Sequence, residues 1–340
     1  MSSLQYPWPE TPQPGTTLQV APGVQWISMP LPFQLDHINL WLLEDEGGWT
    51  IVDCGIGNAD TRAHWEMIFK NIKRVPRVIL THYHPDHAGN ADWLCKRFGA
   101  ELWTTQGEYL TAHAVRASAA GYTVDAVLAV FKRNGLDEQH VHDMAAIRGN
   151  TKYSALVPEF PHSYRRILEG DTVRIGRHAW KAIVGHGHAP EHLSLYCPEL
   201  NVVIAGDMLL STISTNVSVW SIDPEGDPLR LFLESVARYR ELPKDVLVLP
   251  SHGKPFRGAH TRVAQLEKHH EARFDELKHA LKDRPKTAAE LLGVLFRRTL
   301  DAHQTFFAMG EAIAHLHYLY YAGQARRSVG PDGVVRYANA

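Results

Sequence analysis

Between Leu18 and Val52 apolar residues gather in short runs rich in β-branched and aromatic side chains, QWISMP, HINLWLLE and GWTIVD. These runs predict β-strands, and Gly47-Gly48 between the last two predicts a hairpin turn. Residues 59–72 have helical spacing. The segment PRVILTH (76–82) is rich in Val, Ile and Leu and predicts a buried strand. A helix over 87–98 and a short strand over 101–104 follow. Residues 106–150 then break the rhythm with three helical stretches, near 106–119, 123–134 and 137–148, which read as a helical insertion. From Arg165 to Asp207 the strand pattern returns in RRILEG, TVRIG, AWKAIVG, LSLYC and VVIAGD. A helix at about 228–241, the strand DVLVLP and a long polar helix over about 258–283 complete this part.

The two ends differ in character. Residues 1–16 are rich in proline and polar residues and predict an extended arm. After Arg284-Pro285, the run Lys286-Thr287-Ala288-Ala289-Glu290-Leu291 reads as an N-cap and first helical turn. A further helix, about 303–322, places Met309, Ile313, Leu316 and Tyr320 on one stripe, with Gly323 as its C-cap. A turn at Pro331-Asp332-Gly333 joins two short strands. Helix, helix and hairpin in that order resemble a winged helix.

Composition changes the picture in a few places. With 340 residues, 44% of them apolar and 21% charged, the chain can bury a sizeable core. The net charge of −2 offers no global attraction to nucleic acid or anionic membrane. There is no apolar run of about 18 residues and no basic start followed by an apolar stretch, so neither a membrane helix nor a signal peptide is expected, and the cytoplasm is the expected compartment. Cys54, Cys95 and Cys197 show neither disulfide nor thiolate-zinc spacing. The outlying figure is 21 histidines, roughly two to three times ordinary usage, which points towards metal binding.

Those histidines are concentrated in one place. His82, His84, Asp86 and His87 lie within six residues, after a hydrophobic strand and at the mouth of a helix. In extended chain, side chains at i and i+2 point the same way, so His82 and His84 can grip one ion together. Where strand turns into helix, Asp86 and His87 swing towards a neighbouring position. Imidazole and carboxylate are zinc ligands that also suit iron or manganese. Three other strand ends carry a small residue and a candidate ligand: Gly185-His186-Gly187-His188, Gly206-Asp207 and Ser251-His252-Gly253.

The ordered series THYHPDH, GHGHAPEH, AGD and PSHG resembles the metallo-β-lactamase superfamily, closest to its glyoxalase-II-like and RNase-like hydrolase branches, over roughly residues 18–256. The resemblance implies an α+β fold, an αββα sandwich with metals at the edge between two sheets. Its catalytic domain would span 18–256 with the helical insertion at about 106–150. A linking helix over 257–284 and a small winged-helix-like domain over 285–340 would follow. It also implies one ion held by His82, His84 and His188, a second held by Asp86, His87 and His252, and Asp207 bridging both. His186 competes with His188, but the family ligand precedes a small residue and Pro, as His188-Ala189-Pro190 does. Asp53 would support the ligand loop. His192 is open between a hydrogen bond near the site and a structural role. The β-lactamases proper carry a cysteine near Asp207's position, and this chain does not, so another substrate is expected.

The implied chemistry is hydrolysis by a metal-bound hydroxide, with two divalent ions, zinc first and iron or manganese as alternatives, and with Asp86 orienting the hydroxide or carrying a proton onward. Tyr83, Phe33, Tyr164 and Trp220 are candidates for lining a partly apolar pocket, which would suit a small acyl ester, thioester or lactone. Two other readings stay open: a phosphodiesterase or ribonuclease using the same metals, and a non-catalytic metal-binding regulator. Residues 257–340 carry 13 Lys and Arg against 9 Asp and Glu, leaving 22 against 28 for residues 1–256, so the tail is only mildly basic. Its helix at 303–322 has no Lys or Arg, which argues against groove binding to nucleic acid. A packing or homodimerisation role for the tail is expected instead.

Overall fold

The computed structural model of the chain describes residues 3–33, 35–150 and 152–340. Its elements in chain order begin with β1 (Leu18–Ala21), β2 (Val24–Pro30), β3 (His37–Asp45), β4 (Gly48–Val52), α1 (Ala59–Phe69), β5 (Arg77–Ile79), α2 (Pro85–Ala88), α3 (Ala91–Phe98) and β6 (Glu101–Thr104). There follow α4 (Gln106–Arg116), α5 (Val124–Arg133), α6 (Glu138–Asn150), α7 (Tyr153–Leu156), β7 (Arg165–Arg166), β8 (Thr172–Ile175), β9 (His178–Gly185), β10 (His192–Cys197) and β11 (Val202–Gly206). The last are α8 (Pro228–Ala237), β12 (Leu247–Pro250), β13 (Phe256–Arg257), α9 (Ala259–Ala280), α10 (Ala288–Leu295), α11 (Ala302–Tyr321), β14 (Ala325–Val329) and β15 (Val335–Asn339).

The chain divides into two compact units. The first comprises residues 1–117, 153–215 and 235–263, and the second 118–152, 216–234 and 264–340. In the first unit, β1 to β7 form one sheet in sequence order, antiparallel up to β4 and parallel from β4 to β7. The other sheet runs β13-β12-β11-β10-β9-β8, with β11 and β12 its parallel pair.

Period-two alternation divides the apolar residues between two layers. Trp26, Trp41, Leu43, Val52 and Ile79 of the first sheet join Val173, Trp180, Leu193, Leu195, Ile204 and Leu249 of the second in a core between the sheets. Their strand neighbours Ile27, Ile38, Leu40, Leu42, Ile51 and Val78 face the opposite way, against Trp65, Leu94 and Ala112 of α1, α3 and α4. Strands buried on both faces read as nearly continuous apolar runs, as RVIL does. On the second sheet, Ser194 of β10 shares a hydrogen bond of 2.7 Å with Tyr239, in the helical turn that follows α8.

In the second unit the inserted helices associate with the tail. Phe131 of α5 meets Phe306 of α11 edge to face, and the Ala289 N–H donates to Asn134 O. Thr287 caps α10 through a capping box, and β14 pairs with β15 as a hairpin closed around Gly330–Val334. The stripe expected on α11 is only part of what is buried. Met309, Ile313 and Leu316 are inaccessible, but so are Ala312, His315, His317 and Leu319, while Tyr320 is exposed. Twelve of the 20 residues of α11 are buried, which leaves little room for Lys or Arg on it. Among the described residues no helix is long and apolar enough to cross a membrane.

Candidate metal centre

Four segments of the first unit end together, and each does so for a local reason. β5 stops at Ile79, and after the Leu80 N–H donates to Trp103 O the chain leaves the sheet. His84 then caps α2 with Pro85 at the first helical position, where the fixed proline φ suits a helix start. The turn of α2 carries Asp86 and His87 round to a second direction. His188 follows β9, Asp207 follows β11 and His252 follows β12. Gly206 must be glycine: its φ is +53°, and a Cβ there would lie 2.4 Å from His192 Nε2.

Two groups of side chains converge, His82, His84, His188 and Asp207 in one and Asp86, His87 and His252 in the other. His82 Nε2 lies 2.8 Å from His84 Nδ1 and 3.2 Å from His188 Nε2. Asp207 faces both groups. Its Oδ2 is 3.4 Å from His188 Nε2 and 3.9 Å from His82 Nε2, while its Oδ1 is 3.6 Å from both His87 Nε2 and His252 Nε2. Asp86 Oδ2 lies 3.3 Å from His252 Nε2 and 3.7 Å from His87 Nε2.

A set of hydrogen bonds aims these atoms. Asp53 is buried at φ +61°, and its Oδ2 meets His87 Nδ1 at 2.8 Å, which turns His87 Nε2 inward. The same carboxylate accepts from the Thr81 N–H and hydroxyl, both at 2.8 Å. His252 Nδ1 is 2.9 Å from His37 O, which turns its Nε2 inward too. Asn39 Nδ2 donates to Pro250 O and Gly253 O on either side of His252, and Asn39 Oδ1 accepts from Trp26 Nε1. His192 is wholly buried, and its Nε2 accepts from the Asp207 N–H.

The electrostatics suit a cation. Burial, with His87 and His84 adding to it, holds His82 well below the usual histidine pKa, and burial and His188 take His84 down to about 3. Both imidazoles are therefore neutral and offer lone pairs. Burial would raise the Asp86 carboxyl, but His87 and His252 hold it at about 2. Burial likewise opposes ionisation of Asp207, and His252 and His87 override it. For His87 burial is outweighed by Asp53, Asp86 and Asp207, so it takes up a proton that a cation would displace. His84 Nδ1 and His188 Nε2 both crowd His82 Nε2, and buried His87 Nε2 and Asp207 Oδ1 have no hydrogen-bond partner. Neutral imidazoles, ionised carboxylates and these orphaned atoms fit divalent cations of the zinc, iron or manganese type.

The structure brings His82, His84, Asp86, His87, His188, Asp207 and His252 together. His186 lies outside both groups, its Nδ1 2.7 Å from Pro190 O. Among the aromatic candidates, Tyr164 stacks on Tyr109 at 3.9 Å within the core, Trp220 lies against Phe306 in the second unit, and Phe33 is exposed. Tyr83 packs partly against the core. Cys54 is buried and free, its thiol raised well up by burial. Asn39 and Glu108 carry no motif, and Thr81, although it opens THYHPDH, carries no role in the sequence pattern. For Asn39 and Glu108 the one available signal was a polar residue inside an otherwise apolar or helical run.

Residues 34–252 match the metallo-beta-lactamase superfamily, and residues 274–340 match the metallo-beta-lactamase-like C-terminal domain. The chain therefore belongs to the metallo-beta-lactamase superfamily, and it is a metallo-hydrolase of that class. It is similar to a crystal structure of a beta-lactamase domain protein from Burkholderia ambifaria, with 49% identity, a TM-score of 0.92, and coverage of 99% of this chain and 98% of that one. A metallo-beta-lactamase family protein from Thermus thermophilus is 28% identical at a TM-score of 0.81, over 95% of this chain and all of that one (100%). A probable metallo-hydrolase from Bacillus subtilis is 24% identical over 301 residues, 86% of this chain and 91% of its own length.

Proposed function

We propose that the chain is a dinuclear hydrolase of a small acyl ester, thioester or lactone. The observation that carries this reading is Asp207, whose two oxygens face the two side-chain groups separately. In this reading His82, His84 and His188 would hold one cation, Asp86, His87 and His252 would hold the other, and Asp207 would contribute to both. Zinc is the first candidate for both. When bound, the pair would supply Lewis-acid polarisation of the scissile centre and an activated water.

The protein's own part is to fix and protect the arrangement. Asp53 and His37 fix the tautomers of His87 and His252 so that each points its Nε2 inward. His192 holds the Asp207 backbone. Asp86, half-buried beside His87 and His252, would orient the activated water or carry a proton onward. No serine or cysteine nucleophile is needed, which agrees with the inert, buried Cys54.

The tail, read as a winged-helix-like module over 285–340, follows the helix, helix, hairpin order of α10, α11, β14 and β15. The burial of α11 speaks for packing rather than groove insertion. Metal-replete protein should therefore turn over a generic thioester or a lactone. Turnover of bis-p-nitrophenyl phosphate alone would replace this reading with a phosphodiesterase. Two bound metals with no turnover of any of the three would replace it with a regulator.

A further inference from the structure

Glu108 sits in the first turns of α4, 1% exposed, with no opposing cation among its hydrogen-bond partners. Its Oε2 accepts from the Tyr83 N–H at 2.9 Å, and its Oε1 accepts from the Glu191 N–H at 2.7 Å. Tyr83 is the residue between His82 and His84. Glu191 lies three residues after His188 and one before His192. One carboxylate thus joins the two loops that carry the three imidazoles of one group.

Other bonds lock each end. The Tyr153 hydroxyl donates to Tyr83 O, so side chains take both polar groups of the Tyr83 residue. On the other loop, Glu191 Oε2 accepts from the Gly107 N–H at 2.8 Å, and the Thr105 hydroxyl donates to Glu191 O at 2.7 Å. Gly107 is close-packed there, since a Cβ would meet Glu191 Cγ at 2.9 Å. Burial pushes the Glu108 carboxyl up, while its two backbone N–H donors pull the other way and favour the ionised, two-acceptor form. An acid kept in such a place despite its desolvation is a candidate for a role beyond packing.

We infer that Glu108, with Tyr153, is a positioning residue that sets the spacing of His82, His84 and His188 for cation binding. The inference rests on the metal-binding reading above. Glutamine at 108 has nearly the same shape but a single acceptor oxygen, and its amide would present N–H groups to one of the two backbone N–H groups. One loop would then be released.

The test is zinc titration of chelator-stripped, full-length protein by competition with a chromophoric chelator, alongside thermal unfolding of the stripped protein. Glu108→Gln should weaken the affinity of one zinc at least 10-fold, as loss of outer hydrogen-bond partners does. Tyr153→Phe, which removes one hydroxyl and keeps the ring, should weaken it in the same direction and remains readable if Glu108→Gln does not fold. Wild-type affinity in the folded variants, or a fall in thermal stability without any fall in affinity, overturns the inference and leaves Glu108 a packing residue. Failure of the wild-type protein itself to bind zinc, iron or manganese would instead sink the metal reading on which it rests.

Discussion

Asp53→Asn isolates a single proton. The backbone at 53 has φ +61°, a left-handed conformation that Asn tolerates as well as Asp does, so the substitution adds no strain. Asn can still accept from the Thr81 N–H through Oδ1. Its Nδ2 would stand where Oδ2 now meets His87 Nδ1 at 2.8 Å and receives the Thr81 hydroxyl. An amide N–H cannot accept from Nδ1–H. With Asp53's charge gone, His87 would give up its Nδ1 proton and keep the one on Nε2, the atom that faces Asp207 and Asp86, and a protonated Nε2 cannot ligate. The loss comprises one charge-assisted hydrogen bond, about 1.5–3 kcal/mol, and it falls on affinity because the tautomer must be reversed before a cation binds. That corresponds to roughly 10–100-fold weaker zinc binding. Chelator competition measures the affinity, and ¹⁵N-detected NMR of the imidazoles reads the His87 tautomer. Wild-type affinity in a variant whose His87 proton sits on Nε2 would refute the reasoning.

Other positions test different links. Gly206→Ala should cost roughly 1–3 kcal/mol of strain at a positive φ, and more from the clash with His192, so urea unfolding should show a large loss and metal retention should fall with it. In the second unit, burial takes His315 down to about 4. Its folded pKa lies below the ordinary value of 6.5, so it has no effect on stability above pH 6.5. Below that the unfolded chain takes up a proton that the folded one refuses, and stability falls until about pH 4. His315→Gln should remove about 1.4 kcal/mol per pH unit from the acid limb in that window, read as the difference between two urea-unfolding series. Parallel curves would contradict the burial argument. Asn39→Ala would leave Pro250 O, Gly253 O and Trp26 Nε1 without their partner, and should lower the unfolding free energy by about 2–4 kcal/mol in a thermal or urea assay.

Much of this architecture was legible in the chain. The apolar runs in HINLWLLE and RVIL predict strands because successive strand residues point to opposite faces, and both faces here are buried. The run His82 to His87 was legible because its geometry is local, with a strand end, a proline and a helix start packed into six residues. What escaped is non-local. Asn39 acts on residues more than two hundred positions away, and Glu108 joins residues 25 positions before it and 83 after it. A polar residue in a buried run looks the same in the sequence whether it binds its neighbour or a distant loop. The tail shows a different limit. Lack of Lys and Arg on α11 reads as an absent nucleic-acid face, and the structure adds a cause, burial of twelve of its 20 residues. The four-residue stripe drawn for α11 missed this because alanine and neutral histidine fill its other faces.

In the proposed dinuclear site Asp207 joins two cation positions. Metal analysis of stripped, zinc-reconstituted and desalted protein tests it directly, with Asp207→Asn beside the wild type. Two zinc ions are expected per wild-type chain and fewer than one in the variant, because Asp207 faces both side-chain groups and a unit charge within about 4 Å of a cation contributes on the order of 4 kcal/mol even at an effective dielectric near 20. A single ion per wild-type chain, or two ions retained by the Asp207→Asn variant, would contradict it.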